Sequence, residues 1–193
     1  MRRQIVRSDF VKREAERMLM KHRVTAYPVP VEFIAEREGL RVYHDPNLSD
    51  DISGFLYRSH DLGDVVVVNL QHHPTRRRFT LAHELAHFVL HDGQNYVSEK
   101  VRFRNSLTST GADVEEVEAN QWAAELLMPP HLIDKAIAAA ERYLTDDLLV
   151  KNLARDFGVS PLAMRIRLMA LGYVDGNLFD EEWSPPDAAY PNF

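Results

Sequence analysis

Cysteine is absent from all 193 residues. No disulfide can form, and any metal site has to be built from imidazole and carboxylate ligands. That agrees with a reducing compartment. Long apolar runs are absent too: the longest, the valines at 65–68, falls far short of the ~20 residues a membrane-spanning helix needs. The stretch through Arg23 holds no continuous apolar core and no small-residue cleavage site, so no secretory signal is read there and a cytoplasmic location without membrane partners is expected. An excess of basic charge is missing: Lys and Arg number 23 against 29 Asp and Glu, for a net charge of −6. Nucleic-acid binding by the chain as a whole is therefore not favoured, although a local basic patch is not excluded. There is no internal repeat and no low-complexity block. What is present is ordinary for a globular protein: 45% hydrophobic and 27% charged residues, in a length that suits one domain or one domain with a small appendage.

Periodicity predicts a helix over 8–22, with Ser8 as N-cap and Phe10, Val11, Ala15, Met18 and Leu19 as its apolar stripe. Prolines 28 and 30 interrupt, and a second helix follows over 31–38, ended by Gly39. Strands are predicted at 40–43, 52–58 and 64–70, the last a β-branched run expected at the sheet centre and covered on both faces. Pro74 suits the first turn of a helix running to about His91, with Gly93 beyond it. Residues 92–112 show no period and read as a long loop, mobile or functional. Helices follow over 115–128, 130–143, 146–157 and 161–171, then an extended tail. The fold class is α+β: a small sheet of about three strands packed with helices.

Within the helix that starts at Pro74 lies His83-Glu84-Leu85-Ala86-His87. Helical residues four apart differ by about 40° and share a face, so both imidazoles can address one ion. Glu84 sits beside them, placed to take a proton from a water that the metal activates and to pass it to a leaving amine. On a helix this spacing is a signature of metallopeptidases. Catalytic zinc takes three protein ligands and keeps one position open, so a third ligand is required. His91 is a further turn along and is read as structural. The helix over 115–128 offers Glu115, Glu116 and Glu118. Glu116 shares a face with Ala119, Asn120 and Ala123, whereas Glu118 lines up with Gln121 and Trp122. Glu116 is favoured, with Glu118 as the alternative, and Asn120 is placed to hydrogen-bond a ligand histidine.

The run RFTLAHELAH at 78–87, followed by the helix from Glu116 that ends in AAELLMP, resembles the ImmA/IrrE family of metallo-endopeptidases. The upstream segments PVPVEFIAEREGLRV, ISGFLYR and VVVVN are similar to that family's lead-in, and the likeness covers residues 27–131. The resemblance implies a zincin-like helix and a second ligand-bearing helix on the small sheet. It implies one Zn2+, with Mn2+ as an alternative, held by His83, His87 and a glutamate of the second motif, with Glu84 as catalytic base. Members cleave or control a helix-turn-helix repressor of the Xre type. On this basis 1–131 is the peptidase domain, 132–175 a helix-turn-helix-like segment and 176–193 a tail.

Three local features are open to more than one use. Gly54 falls where such enzymes carry an edge strand, suited either to pairing with an extended substrate or to a simple bulge. Arg76, Arg77 and Arg78 could bind an acidic partner or pair with an internal carboxylate. Residues 153–168 have helix-turn-helix spacing, with Ser160 as cap and Pro161 at the first helical position. Arg165 and Arg167 are its second helix's basic residues and the flanks are acidic, so a packing or repressor-docking role is favoured over DNA binding. The alternatives to a peptidase are a non-catalytic DNA- or protein-binding regulator and a toxin–antitoxin partner, each with a structural metal site.

Overall fold

The computed structural model describes residues 6–58, 63–91, 111–140 and 145–174, the side chains of 111–113 excepted. Among them are seven helices and three strands: α1 Ser8–Lys21, α2 Val31–Arg37, β1 Arg41–Asp45, β2 Gly54–Tyr57, β3 Val65–Asn69, α3 Pro74–Leu90, α4 Gly111–Leu127, α5 Pro130–Ala139, α6 Asp146–Phe157 and α7 Pro161–Ala170. The expected α+β class holds. Most of the loop expected at 92–112 and the tail expected at 176–193 lie outside the described residues, and the helix expected to reach 143 ends at Ala139, where Ala140 turns extended. No helix among the described residues is long and apolar enough to cross a membrane.

The sheet order is β1-β3-β2, with β3 parallel to β1 and antiparallel to β2. The β-branched run is central, as its composition predicts, but it is not covered on both faces. Val66 and Val68 are wholly buried, whereas Val65 and Val67 are only half-buried. Helix α3 packs on the first face, and none of the described helices closes the second to the same degree. Gly54 explains how closely α3 approaches. A Cβ there would lie 2.5 Å from the Val67 carbonyl oxygen and 2.7 Å from Thr80 Cγ2. The glycine is thus a contact requirement between edge strand and helix, not a bulge.

Helices α3 and α4 pack face to face, and α1 lies on α4. Leu81, Ala82, Leu85 and Ala86 of α3 meet the layer that holds Ala119, Trp122, Ala123 and Leu126 of α4, all buried. The alanines keep the helix surfaces shallow, which lets the polar faces of α3 and α4 come close enough to share a site. The apolar stripe of α1 is buried as predicted at Val11, Ala15, Met18 and Leu19. Its start is not as predicted: Arg7 is the N-cap, Ser8 is already helical, and no side chain caps the helix. The Arg7 backbone amide and side chain bind Glu118 instead.

The C-terminal pair α6–α7 turns through Gly158, at φ +66, a left-handed conformation that costs glycine little. The Ser160 hydroxyl accepts from the Ala163 amide at 3.1 Å. Ser160→Ala is expected to cost about 1 kcal/mol, measurable as a fall of about 2–4 °C in the unfolding temperature. Neither arginine of α7 is held out for a phosphate backbone. Arg167 grips both carboxylate oxygens of Glu125 and the Met128 carbonyl, and Arg165 binds Asp147. In the first turns of the metal-motif helix, Arg76 donates to Ser53 Oγ and Arg78 to the Val29 carbonyl, so these two arginines of the basic cluster are engaged within the fold.

Candidate metal centre

Helix α3 begins with Pro74 at its first position and with the His73 side chain accepting from the Thr75 amide. Its other end is held by Arg58, whose guanidinium donates to the carbonyls of His87, Phe88 and His91. A cation is well placed there, because helix C-terminal carbonyls carry partial negative charge. Between these fixed ends, His83, Glu84 and His87 are all buried.

Three ligand atoms converge where α3 faces α4. His83 Nε2 and His87 Nε2 are 3.0 Å apart. Glu116 Oε2 is 3.3 Å from His83 Nε2, and Oε1 is 3.2 Å from His87 Nε2. Zinc bonds of about 2.0–2.1 Å at tetrahedral angles separate neighbouring ligand atoms by about 3.3 Å, so the spacing fits such an ion. Among the described residues these three form the group able to hold a metal, their ligand atoms lying within 4.8 Å of one another. The Glu116 side chain is 45% exposed, so the site opens to solvent on that side. Glu118, the alternative from sequence, is turned away and is 1% exposed.

Hydrogen bonding fixes what the imidazoles present. His83 Nδ1 is 2.9 Å from Asn120 Oδ1, an acceptor, so His83 carries its proton there and turns a lone pair inward at Nε2. His87 Nδ1 faces His91 Nδ1 at 3.1 Å, and His91 Nε2 faces Glu118 Oε2 at 3.2 Å. The carboxylate only accepts, so neutral His91 donates from Nε2 and accepts at Nδ1. His87 then donates from Nδ1 and also turns a lone pair inward. Two lone pairs and a carboxylate thus converge with no donor among them, an arrangement that calls for a cation.

The same demand for positive charge shows in the titration behaviour, where a proton plays the part of the cation. Burial pushes His83 down, but Glu116, Glu84 and Asn120 outweigh it and hold the ring above its usual value. Glu116 is partly desolvated, yet the hydrogen bonds that His83 and His87 donate to it when protonated keep its carboxyl well below the usual range. Burial raises the Glu84 carboxyl, against the pull of both histidines and of the Leu56 amide, which donates to it. The Glu118 carboxyl is lowered to about 2, chiefly by the Arg7 side chain.

Sequence reasoning did not find Arg7 or Arg58. Arg7 lies 111 residues from Glu118, and no local pattern encodes such a pairing.

Residues 35–169 match the family model of the IrrE N-terminal-like domain, Peptidase_M78. Over 106 residues the chain is 32% identical to the uncharacterized immunity region protein 2 of Bacillus phage phi105, covering 55% of this chain and 62% of the phage protein. A solved Mycobacterium tuberculosis transcriptional regulator superposes with a TM-score of 0.60 at 25% identity, over 83% of this chain and 46% of that one. The chain thus spans less than two thirds of the length of either relative.

Proposed function

Since the chain belongs to the ImmA/IrrE family of IrrE N-terminal-like peptidases, we propose that it is a zinc-dependent endopeptidase that cleaves or controls a helix-turn-helix repressor of the Xre type. The observation that carries this is the convergence of His83, His87 and Glu116 at tetrahedral spacing, with a buried carboxylate, Glu84, beside them. His83, His87 and Glu116 are the ligands. When bound, the ion supplies Lewis-acid polarisation of the scissile carbonyl and lowers the pKa of water. Glu84 is the catalytic base: it takes the proton of the attacking water and delivers it to the leaving amine. Burial supports that role, because a carboxyl raised from its usual range is a stronger base and takes the proton of the attacking water more readily. The opening beside Glu116 supports catalysis over a structural role, since structural zinc sites are closed by four protein ligands.

Strand β2 is an edge of the sheet, and its Leu56 amide binds Glu84. A substrate segment extended along that edge would bring its peptide groups beside the three ligands. The repressor partner rests on the family and on the relatives, an immunity-region protein and a transcriptional regulator. The pairing of Arg165 with Asp147 and of Arg167 with Glu125 supports a protein partner over DNA.

Protein purified without chelator is expected to carry about one zinc or manganese ion per chain, read by mass spectrometry, and His83→Ala to carry almost none. Incubation with an Xre-type repressor encoded beside it should give discrete fragments. A wild-type protein that binds no divalent metal sinks the proposal.

A further inference from the structure

Catalysis leaves one deeply buried group unused. Glu118 is 1% exposed, points away from the three ligands, and accepts from Arg7 three times: from the backbone amide at 2.8 Å, from Nε at 2.9 Å and from Nη2 at 2.5 Å. Its Oε2 also faces His91 Nε2 at 3.2 Å, and His91 Nδ1 faces His87 Nδ1 at 3.1 Å. The connection runs unbroken from the start of α1 to a ligand histidine on α3.

We propose that Arg7, Glu118 and His91 act as a positioning relay that fixes the tautomer and ring orientation of His87 for the metal. The proposal rests on the metal-centre reading above. Each link follows from donor and acceptor inventory. Arg7 only donates, which keeps Glu118 ionised and accepting. Ionised Glu118 requires a proton on His91 Nε2, which frees the lone pair of His91 Nδ1. That lone pair requires a proton on His87 Nδ1, and so leaves His87 Nε2 as a lone pair facing Glu116 and His83.

The two ligand histidines are served differently. His83 is held by the neutral amide of Asn120, whereas His87 is held, through a second imidazole, by a carboxylate that is itself paired with Arg7. The arrangement also ties the N-terminal helix to the metal. Displacing Arg7 would loosen a ligand without touching it.

The rival account is that Arg7–Glu118 only pins α1 to α4. Zinc affinity separates the two, measured on the full chain by competition with a chromophoric chelator, together with the visible spectrum of the Co(II) form. His91→Phe keeps a ring in the space but offers His87 no acceptor, and it is expected to weaken zinc binding by about 10–100-fold. His91→Asn puts an amide oxygen near the place of Nδ1, and should recover most of the affinity and the Co(II) spectrum. Arg7→Met, at a half-exposed position, tests the far end even if a His91 variant fails to fold. Its loss should be smaller, less than about tenfold. The relay is overturned if His91→Phe and Arg7→Met bind zinc as the wild type does while their metal-free forms unfold at lower temperature. It is also overturned if His91→Asn is as weak as His91→Phe. A wild type that takes up no zinc brings down the metal centre itself, whereas tight wild-type binding unmoved by these variants brings down the relay alone.

Discussion

Glu84→Gln is expected to keep its metal and to lose about a hundred- to ten-thousand-fold in peptide hydrolysis. The substitution changes little but the ability to hold a proton. Glu84 is 2% exposed, so a charged or bulkier replacement would disturb packing, whereas glutamine fills the same volume. Its amide oxygen can still accept from the Leu56 backbone amide, so the contact between α3 and β2 survives. Glu84 is not among the three converging ligands, so metal content should stay at the wild-type level. Fragments of the repressor, followed by electrophoresis against time, give the rate, and mass spectrometry of the same sample gives the metal. Wild-type cleavage by a variant that retains its metal would remove Glu84 from the mechanism. Loss of both metal and cleavage would instead make it a ligand.

The parts legible from sequence are those governed by a short period. The offset of four that put His83 and His87 on one face needed only helical geometry, and Pro74 and Gly93 delimited α3 to within a residue of its observed end at Leu90. The same geometry grouped Glu116 with Asn120, and the structure brings both to His83. The central place of β3 followed from its run of valines. What could not be read depends on contacts between distant segments. Ser8 has the composition of a cap, but the backbone amide of Arg7 is drawn to Glu118 and the helix starts one residue earlier than a serine cap would allow. His91 looked like a helix-end histidine because its partner lies on another helix. Arg76 and Arg78 formed a basic cluster on paper, yet each donates to an oxygen from a different loop. The partner of Arg167 was hidden for the same reason: Glu125 lies on α4, 42 residues earlier.

The two glutamates of α4 should separate cleanly when each is replaced by alanine. Glu118→Ala removes the one acceptor shared by the Arg7 amide, the Arg7 guanidinium and His91. Breaking a wholly buried ion pair costs about 3–5 kcal/mol. Arg7 is half-exposed and its free guanidinium regains water, so about 2 kcal/mol is the better expectation here. In a chain of this length that lowers the unfolding temperature of the metal-free protein by about 4–8 °C. Zinc should still raise it, though by less than in the wild type, because His87 has lost its support and not its lone pair. Glu116→Ala should do the reverse. Its side chain is nearly half exposed, and removing it leaves the apolar core intact, so the metal-free protein should lose only the contacts with the two histidines and fall less in unfolding temperature than Glu118→Ala. Its response to zinc should vanish, whereas in the wild type zinc at about 100 times its dissociation constant adds about 2.7 kcal/mol. Scanning calorimetry of both variants with and without zinc measures all four quantities. If Glu118→Ala abolishes the zinc response and Glu116→Ala keeps it, the ligand is Glu118, and α4 must turn to present it. The present geometry argues against that, because such a turn would carry Glu118 out of the grip of Arg7 and expose a buried face of the helix that holds Ala119, Trp122 and Ala123.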